Sequence, residues 1–132
     1  MRTLAKTIRS VRRRLAIRGE FLRVIGYSMS PTLRPGEIVF VNRRAYRCRA
    51  PRRGDVVVAR PAACARRLMI KRVAGLPSER VELAGCAWHL GDDEFFLLGD
   101  HPTQSTDSRS FGPIQRHELI GPVSRLLRLR AV

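Results

Sequence analysis

Lys71 and Ser28 are the side chains whose types and surroundings point most directly to chemistry. Of the 26 basic residues, only Lys6 and Lys71 are lysines; the rest are arginines. A guanidinium stays protonated in proteins, whereas a lysine removed from water can lose its proton and become a base. Lys71 stands in the apolar run Leu68-Met69-Ile70-Lys71-Arg72-Val73. Read as a strand, this run puts residues 69, 71 and 73 on one face, with the amine projecting between Met69 and Val73. Upstream, Gly26-Tyr27-Ser28-Met29-Ser30-Pro31-Thr32 offers a hydroxyl on a turn. Serine activated by a desolvated lysine is an established form of nucleophilic catalysis. A lysine of ordinary pKa, ~10.4, is neutral only about once in a few thousand molecules at pH 7. Lowering that pKa by about three units corresponds to ~4 kcal/mol, which burial can supply. Met69, Val73 and Met29 are the side chains expected to provide it.

Other constellations fit less well. Ser30 precedes Pro31, which restricts its backbone. A Ser–His–Asp triad could draw on His89, His101 or His117, but the serine segment lacks the final glycine of a nucleophile elbow and shows no strand–turn–helix context. Asp92-Asp93-Glu94 reads as a solvated turn rather than a metal cluster, and no metal or cofactor is expected. Cys48, Cys64 and Cys86 are odd in number and without a CxxC spacing, so they read as buried or idle thiols in a reducing compartment.

The elements that must position the pair are short strands. Glu20–Ile25, Glu37–Asn42, Asp55–Arg60, Leu68–Ala74, Arg80–Leu83, Glu94–Leu98 and Ile120–Leu129 are rich in Val, Ile, Leu or Phe. Arg34-Pro35-Gly36-Glu37, Arg53-Gly54-Asp55 and Gly91-Asp92-Asp93 are turn signals. Strands at this spacing without helical patterns between them predict a mainly antiparallel β domain, a coiled sheet or partly open barrel. Residues 3–17 predict a short basic amphipathic helix with Leu4, Ile8, Val11 and Leu15 on one side. The expected organisation is therefore an N-terminal helix over 1–18 and one β domain over 19–132, in a chain long enough for a real core.

The formal net charge is +15, and residues 1–18 hold seven basic side chains with no acidic one. Such a balance favours anionic lipid or nucleic acid. No recognition-helix pattern, RNP-like strand or aromatic stacking series accompanies the charge, so nucleic acid is not the expected partner. An anionic membrane surface, met through residues 3–17, is the alternative contact. No segment approaches the ~20 apolar residues of a membrane span, and Arg12-Arg13-Arg14 interrupts the only N-terminal signal candidate. The expected product is intact and cytoplasmic, or peripheral at the cytoplasmic membrane.

The ordered blocks Gly26-Tyr27-Ser28-Met29-Ser30-Pro31-Thr32-Leu33, Pro35-Gly36-Glu37, Arg53-Gly54-Asp55-Val56-Val57, Ile70-Lys71-Arg72-Val73 and Gly99-Asp100-His101 through Ser105-Thr106-Asp107-Ser108-Arg109 to Phe111-Gly112-Pro113 resemble the type I signal peptidases of the S26 family. They cover roughly residues 20–123. The resemblance implies a coiled antiparallel β-sheet domain of the signal-peptidase and LexA-like kind. It implies Ser28 as nucleophile, Lys71 as general base and Ser105 as the hydroxyl that orients the amine. Asp107 and Arg109 would form a structural ion pair, with Gly99 and Asp100 as supports. The Ser28 N–H would donate to the oxyanion; Gly26 stands where other members carry a serine donor, so the second donor stays open. His101 replaces a common asparagine and implies an altered loop.

The resemblance thus implies a serine endopeptidase that removes a leader or signal segment from an extended precursor polypeptide, next to small residues. The stretch Ser105-Thr106-Asp107-Ser108-Arg109-Ser110-Phe111-Gly112 is also similar to the maturation proteases of nickel-type superoxide dismutase. A non-enzymatic basic module, binding nucleic acid or anionic membrane, is the reading from another class.

Overall fold

The computed structural model describes residues 8–11, 19–101 and 103–125. Strands β1 (Ile8–Val11), β2 (Gly19–Val24), β3 (Ile38–Asn42), β4 (Val56–Ala59) and β5 (Met69–Gly75) lead into a hairpin of β6 (Arg80–Leu83) and β7 (Cys86–His89). β8 (Glu94–Leu98), β9 (Ile114–Gln115) and β10 (Leu119–Arg125) come next, with two one-turn helices, α1 (Ala45–Cys48) and α2 (Ser108–Phe111). Eight strands form one sheet in the order β1-β2-β3-β10-β4-β5-β8-β9, while β6 and β7 stand apart as a ribbon. Every pairing is antiparallel. The last strand, β10, is thus slotted between β3 and β4, and the mainly β architecture expected from the sequence is the one observed.

Two apolar clusters flank the central strands. Leu22, Val24, Met29, Leu33, Val39 and Val41 gather on one side with Val58 and Ile70. On the other side, Val57, Ala59 and Val73 meet Phe95, Leu97, Ile114 and Tyr46 of α1. β2 has one buried face, so Leu22 and Val24 alternate with exposed Arg23. β4 and β5 contribute to both clusters, which is why they read as unbroken apolar runs instead of alternating ones.

The turns obey their glycines. Gly36 has φ +91° and Gly54 φ +89°, each at the third position of a turn closed by Glu37 N–H to Arg34 O (3.1 Å) or Asp55 N–H to Arg52 O (3.0 Å). Only glycine occupies that conformation without a Cβ penalty.

The expected N-terminal helix is corrected at its centre. Ile8–Val11 are extended and pair with β2 in the register Ile8↔Val24 to Val11↔Phe21. A short amphipathic helix has little stability of its own, whereas the outer edge of β2 offers a full row of unpaired N–H and C=O groups. The rest of the helix expected over 3–17 lies outside the described residues, as do residues 126–129 of the expected last strand.

β7 has no counterpart among the strands expected from the sequence. The turn joining it to β6 is Ala84-Gly85, both with positive φ (51° and 79°). This is the backbone of a two-residue hairpin loop, built without the usual Asn-Gly or Asp-Gly signal. The ribbon is pinned by Trp88, whose ring lies 4.7 Å from that of Phe96 between centroids. Phe96 is fully buried. Phe96→Ala is expected to lower unfolding free energy by about 3–5 kcal/mol in urea denaturation, from lost burial and the cavity left behind.

Candidate active site

After β2 the chain turns at Gly26, whose φ is +86°. The next turn is closed by Ser30 N–H to Tyr27 O (3.0 Å) and Leu33 N–H to Met29 O (2.9 Å). Met29 and Leu33 plug it into the first apolar cluster, while Tyr27 is 60% exposed. Ser28, between a buried methionine and an exposed tyrosine, is held half-buried at the surface of the turn.

Lys71 lies on β5 opposite Val57 and is 3% exposed. Met69 and Val73, its neighbours on the same face, are buried as expected. Met29 is not part of that shelter: it packs with Leu22 and Ile70 in the other cluster. Burial pushes the Lys71 amine down from 10.5 to about 8. The Asp107 carboxylate, and the Cys64 sulfur once it is deprotonated, pull it back upward, and the Arg109 charge adds to the downward push. Ser28 and Lys71 line the same cavity, of about 570 Å³, together with Gly26, Met69 and Cys64.

The loop after β8 closes the site from behind. Asp107 is fully buried and accepts hydrogen bonds from the Gly99 N–H (2.9 Å), the Ser105 hydroxyl (2.9 Å) and the Arg109 guanidinium (2.9 and 2.8 Å). It also caps α2 by accepting from the Arg109 N–H at 3.1 Å. Burial alone would raise its pKa, but the bonds from Arg109, Gly99 and Ser105 outweigh burial and hold it below the usual carboxylate range. Ser108 Oγ accepts from the Leu97 N–H at 2.9 Å, fastening the same loop to β8. The expected Asp107–Arg109 ion pair is therefore present, at 2.8 Å.

Gly99 is required by close approach. A Cβ there would lie 2.0 Å from Ser105 Oγ and 2.7 Å from the Ser28 carbonyl oxygen. These two segments thus converge on one backbone position that only glycine fits. The Ser28 carbonyl also accepts from the His101 N–H at 2.9 Å. His101 contributes its backbone here; its ring Nδ1 faces Thr103 Oγ1 at 3.2 Å. None of His89, His101 and His117 lines the cavity.

A second carboxylate ties the serine turn to the lysine strand. Asp100 receives Arg72 Nε (2.9 Å) and a terminal Arg72 nitrogen (2.8 Å) in a bidentate pair, plus the Thr32 hydroxyl at 2.6 Å. The Arg72 bonds, foremost, hold its pKa down. Arg72 is the residue after Lys71, and Thr32 belongs to the serine turn, so one carboxylate sets the distance between the two segments. From the sequence, Asp100 reads only as a support, while Arg72 and Thr32 have no assigned role; a charged residue beside a buried lysine is the available signal.

The three cysteines are free. Cys48 and Cys86 are exposed; Cys64 is half-buried in the cavity, where burial pushes its thiol pKa up. Among the described residues, no helix is long and apolar enough to cross a membrane.

A β domain with a turn serine and a dry lysine in one cavity defines a class, and comparison with known proteins agrees. The family model described as "Signal peptidase, peptidase S26" matches residues 14–90 and 84–127. Signal peptidase I of Leptolyngbya laminosa is 30% identical over 75% of this chain and 67% of its own. The probable signal peptidase I-2 of Synechocystis sp. is 30% identical over 71% of this chain and 56% of its own. Mitochondrial inner membrane protease subunit 2 of Danio rerio is 30% identical over 80% of this chain and 62% of its own. The chain therefore spans between 56% and 67% of the length of these three relatives. It belongs to the signal peptidase family, peptidase S26, a family of serine endopeptidases.

The buried amine has a thermodynamic signature. The gap between about 8 and 10.5 corresponds to about 3 kcal/mol of disfavoured charge. Below pH 8 the lysine is protonated both folded and unfolded, and the folded state carries the full penalty. Above 10.5 it is neutral in both, and the penalty is gone. Lys71→Met is thus expected to be more stable than the parent by about 3 kcal/mol at pH 7. Urea titrations between pH 7 and 10.5 should show that advantage shrinking with rising pH.

Proposed function

We propose that the chain is a serine endopeptidase that removes a leader or signal segment from a precursor polypeptide, with Ser28 as nucleophile and Lys71 as general base. The observation that carries this is a buried lysine, its pKa lowered by desolvation to about 8, in the same cavity as a turn serine. Neutral Nζ takes the proton of Ser28 Oγ as the oxygen attacks the scissile carbonyl. The oxyanion receives the Ser28 N–H, and the resulting ammonium returns its proton to the leaving amine. Water then enters, is deprotonated by the same amine, and releases the acyl group from Ser28.

Ser105 is the orienting hydroxyl. Its proton goes to Asp107, which leaves its lone pairs to accept from the amine and directs the lysine lone pair toward Ser28. Gly26 brings no side-chain donor, so the oxyanion is served by backbone. An extended substrate suits the open part of β5: pairing with β8 begins at Arg72↔Leu98, leaving Met69–Lys71 without a strand on that side. A peptide adding there would present alternate side chains to the cavity; a preference for small residues next to the cut is what the family likeness implies. The positive charge of the chain suits work at the periphery of an anionic cytoplasmic membrane, where precursor segments emerge.

Ser28→Ala and Lys71→Ala should each lower kcat/KM at least ~10³-fold while the circular dichroism stays native. Lys71→Arg should be equally inactive, because a guanidinium supplies no base; an active Lys71→Arg enzyme defeats the mechanism. In the parent, kcat/KM should rise with pH to a plateau above about 8, where the amine becomes neutral. Mass spectrometry of a secretory preprotein and of a nickel-type dismutase precursor separates the two substrate classes. Cleavage of the preprotein at a small residue is expected; cleavage of the dismutase precursor alone would reassign the substrate and leave the dyad standing.

A further inference from the structure

Resting on the peptidase activity proposed above, we propose that Arg67 is a specificity-determining residue: at one position flanking the cut, outside the small residue next to it, it favours an aspartate or glutamate and disfavours lysine or arginine. Among the described residues, the charged side chains lining the cavity are Arg67 and Lys71, and no carboxylate lines it. The wall leading to Arg67 is Ala63, Cys64 and Ala65, short side chains that leave the guanidinium as the long polar group on that side. Arg67 is exposed and takes part in none of the ion pairs among the described residues.

The segment that holds Arg67 is built tightly. Cys64 N–H and Arg66 N–H both donate to Pro61 O (3.1 and 2.9 Å), and Arg67 N–H donates to Cys64 O (3.1 Å). Ala65 and Arg66 both lie in the left-handed region, at φ 55° and 56°. Two successive non-glycine residues adopt it only where surrounding contacts impose it. The carboxylate that acts on this turn is Glu118, but its oxygens are occupied by the Ala62 N–H (2.7 Å) and the Gln115 N–H (2.8 Å). Glu118 therefore anchors the turn and does not pair with the guanidinium. A substrate carboxylate is the group of matching charge, and a substrate cation would meet Arg67 and, below pH 8, the Lys71 ammonium as well.

A single partly solvated charge pair gives a modest preference, about three- to fivefold, expressed in KM because it acts on ground state and transition state alike. The test uses the full chain and quenched-fluorescence peptides with alanines around the scissile bond, differing by one Glu, Gln or Lys at each flanking position in turn. At low salt, one position should show Glu cut about three- to fivefold faster than Gln, and Lys slower; high salt should compress the spread. Arg67→Gln should level the three rates, and Arg67→Glu should invert their order. Cleavage without charge preference at any position, or an unchanged order in Arg67→Glu, overturns the proposal while the peptidase activity stands. Absence of cleavage of every peptide by the parent defeats that activity and the proposal with it.

Discussion

Keeping the Lys71 amine dry is the constraint around which the rest of the molecule is arranged. A lysine on a solvent-facing side of a strand would be solvated and protonated; this one is buried, opposite Val57 and between Met69 and Val73. Burial disfavours its charge, and that works only while no uncompensated carboxylate faces it. Asp107 does act on the amine, but its charge is compensated by Arg109, which itself pushes the lysine pKa down. The ion pair behind the site thus has an electrostatic consequence besides bracing a loop.

Two carboxylates convert three distant segments into one site. Asp107 gathers Gly99, Ser105 and Arg109, and Asp100 gathers Thr32 and Arg72. Between them they lock the serine turn, the lysine strand and the loop after β8. Both carboxylates are held ionised by these bonds, so the framework is set before any substrate arrives. Catalytic geometry depends on such supporting contacts, because a displacement of about an ångström is enough to lose most of the benefit of proximity.

Much of the fold was legible in residue types. β2, β3, β4, β5, β6 and β8 lie within a residue or two of the runs read as strands, because β-branched and apolar clusters bounded by Gly and Pro signal half-buried or buried sheet. The failures are equally physical. Ile8 and Val11 fit a helical stripe, yet the exposed edge of β2 took them as a strand. Cys86–His89 carries no strong strand pattern and is held by a hairpin turn and by Trp88 on Phe96. Met29 reads as a neighbour of Lys71 by motif, but its turn points it into the opposite cluster.

The sequence by itself determined which groups exist to do chemistry: one lysine within an apolar run, two serines on a Gly-led turn, and acidic residues in a loop with small hydroxyl neighbours. These come from composition and local backbone preference, which act over a few residues. Whether that amine is dry, and whether it meets that hydroxyl in a common cavity, was decided only by tertiary structure. Desolvation is a property of surroundings, supplied here by Val57 of β4 together with Met69 and Val73 of β5, on strands drawn from separate stretches of chain. The bonds that tie the serine turn to the lysine strand likewise join residues far apart in sequence, Thr32 to Asp100 and Arg72 to Asp100, and no local pattern encodes such a meeting.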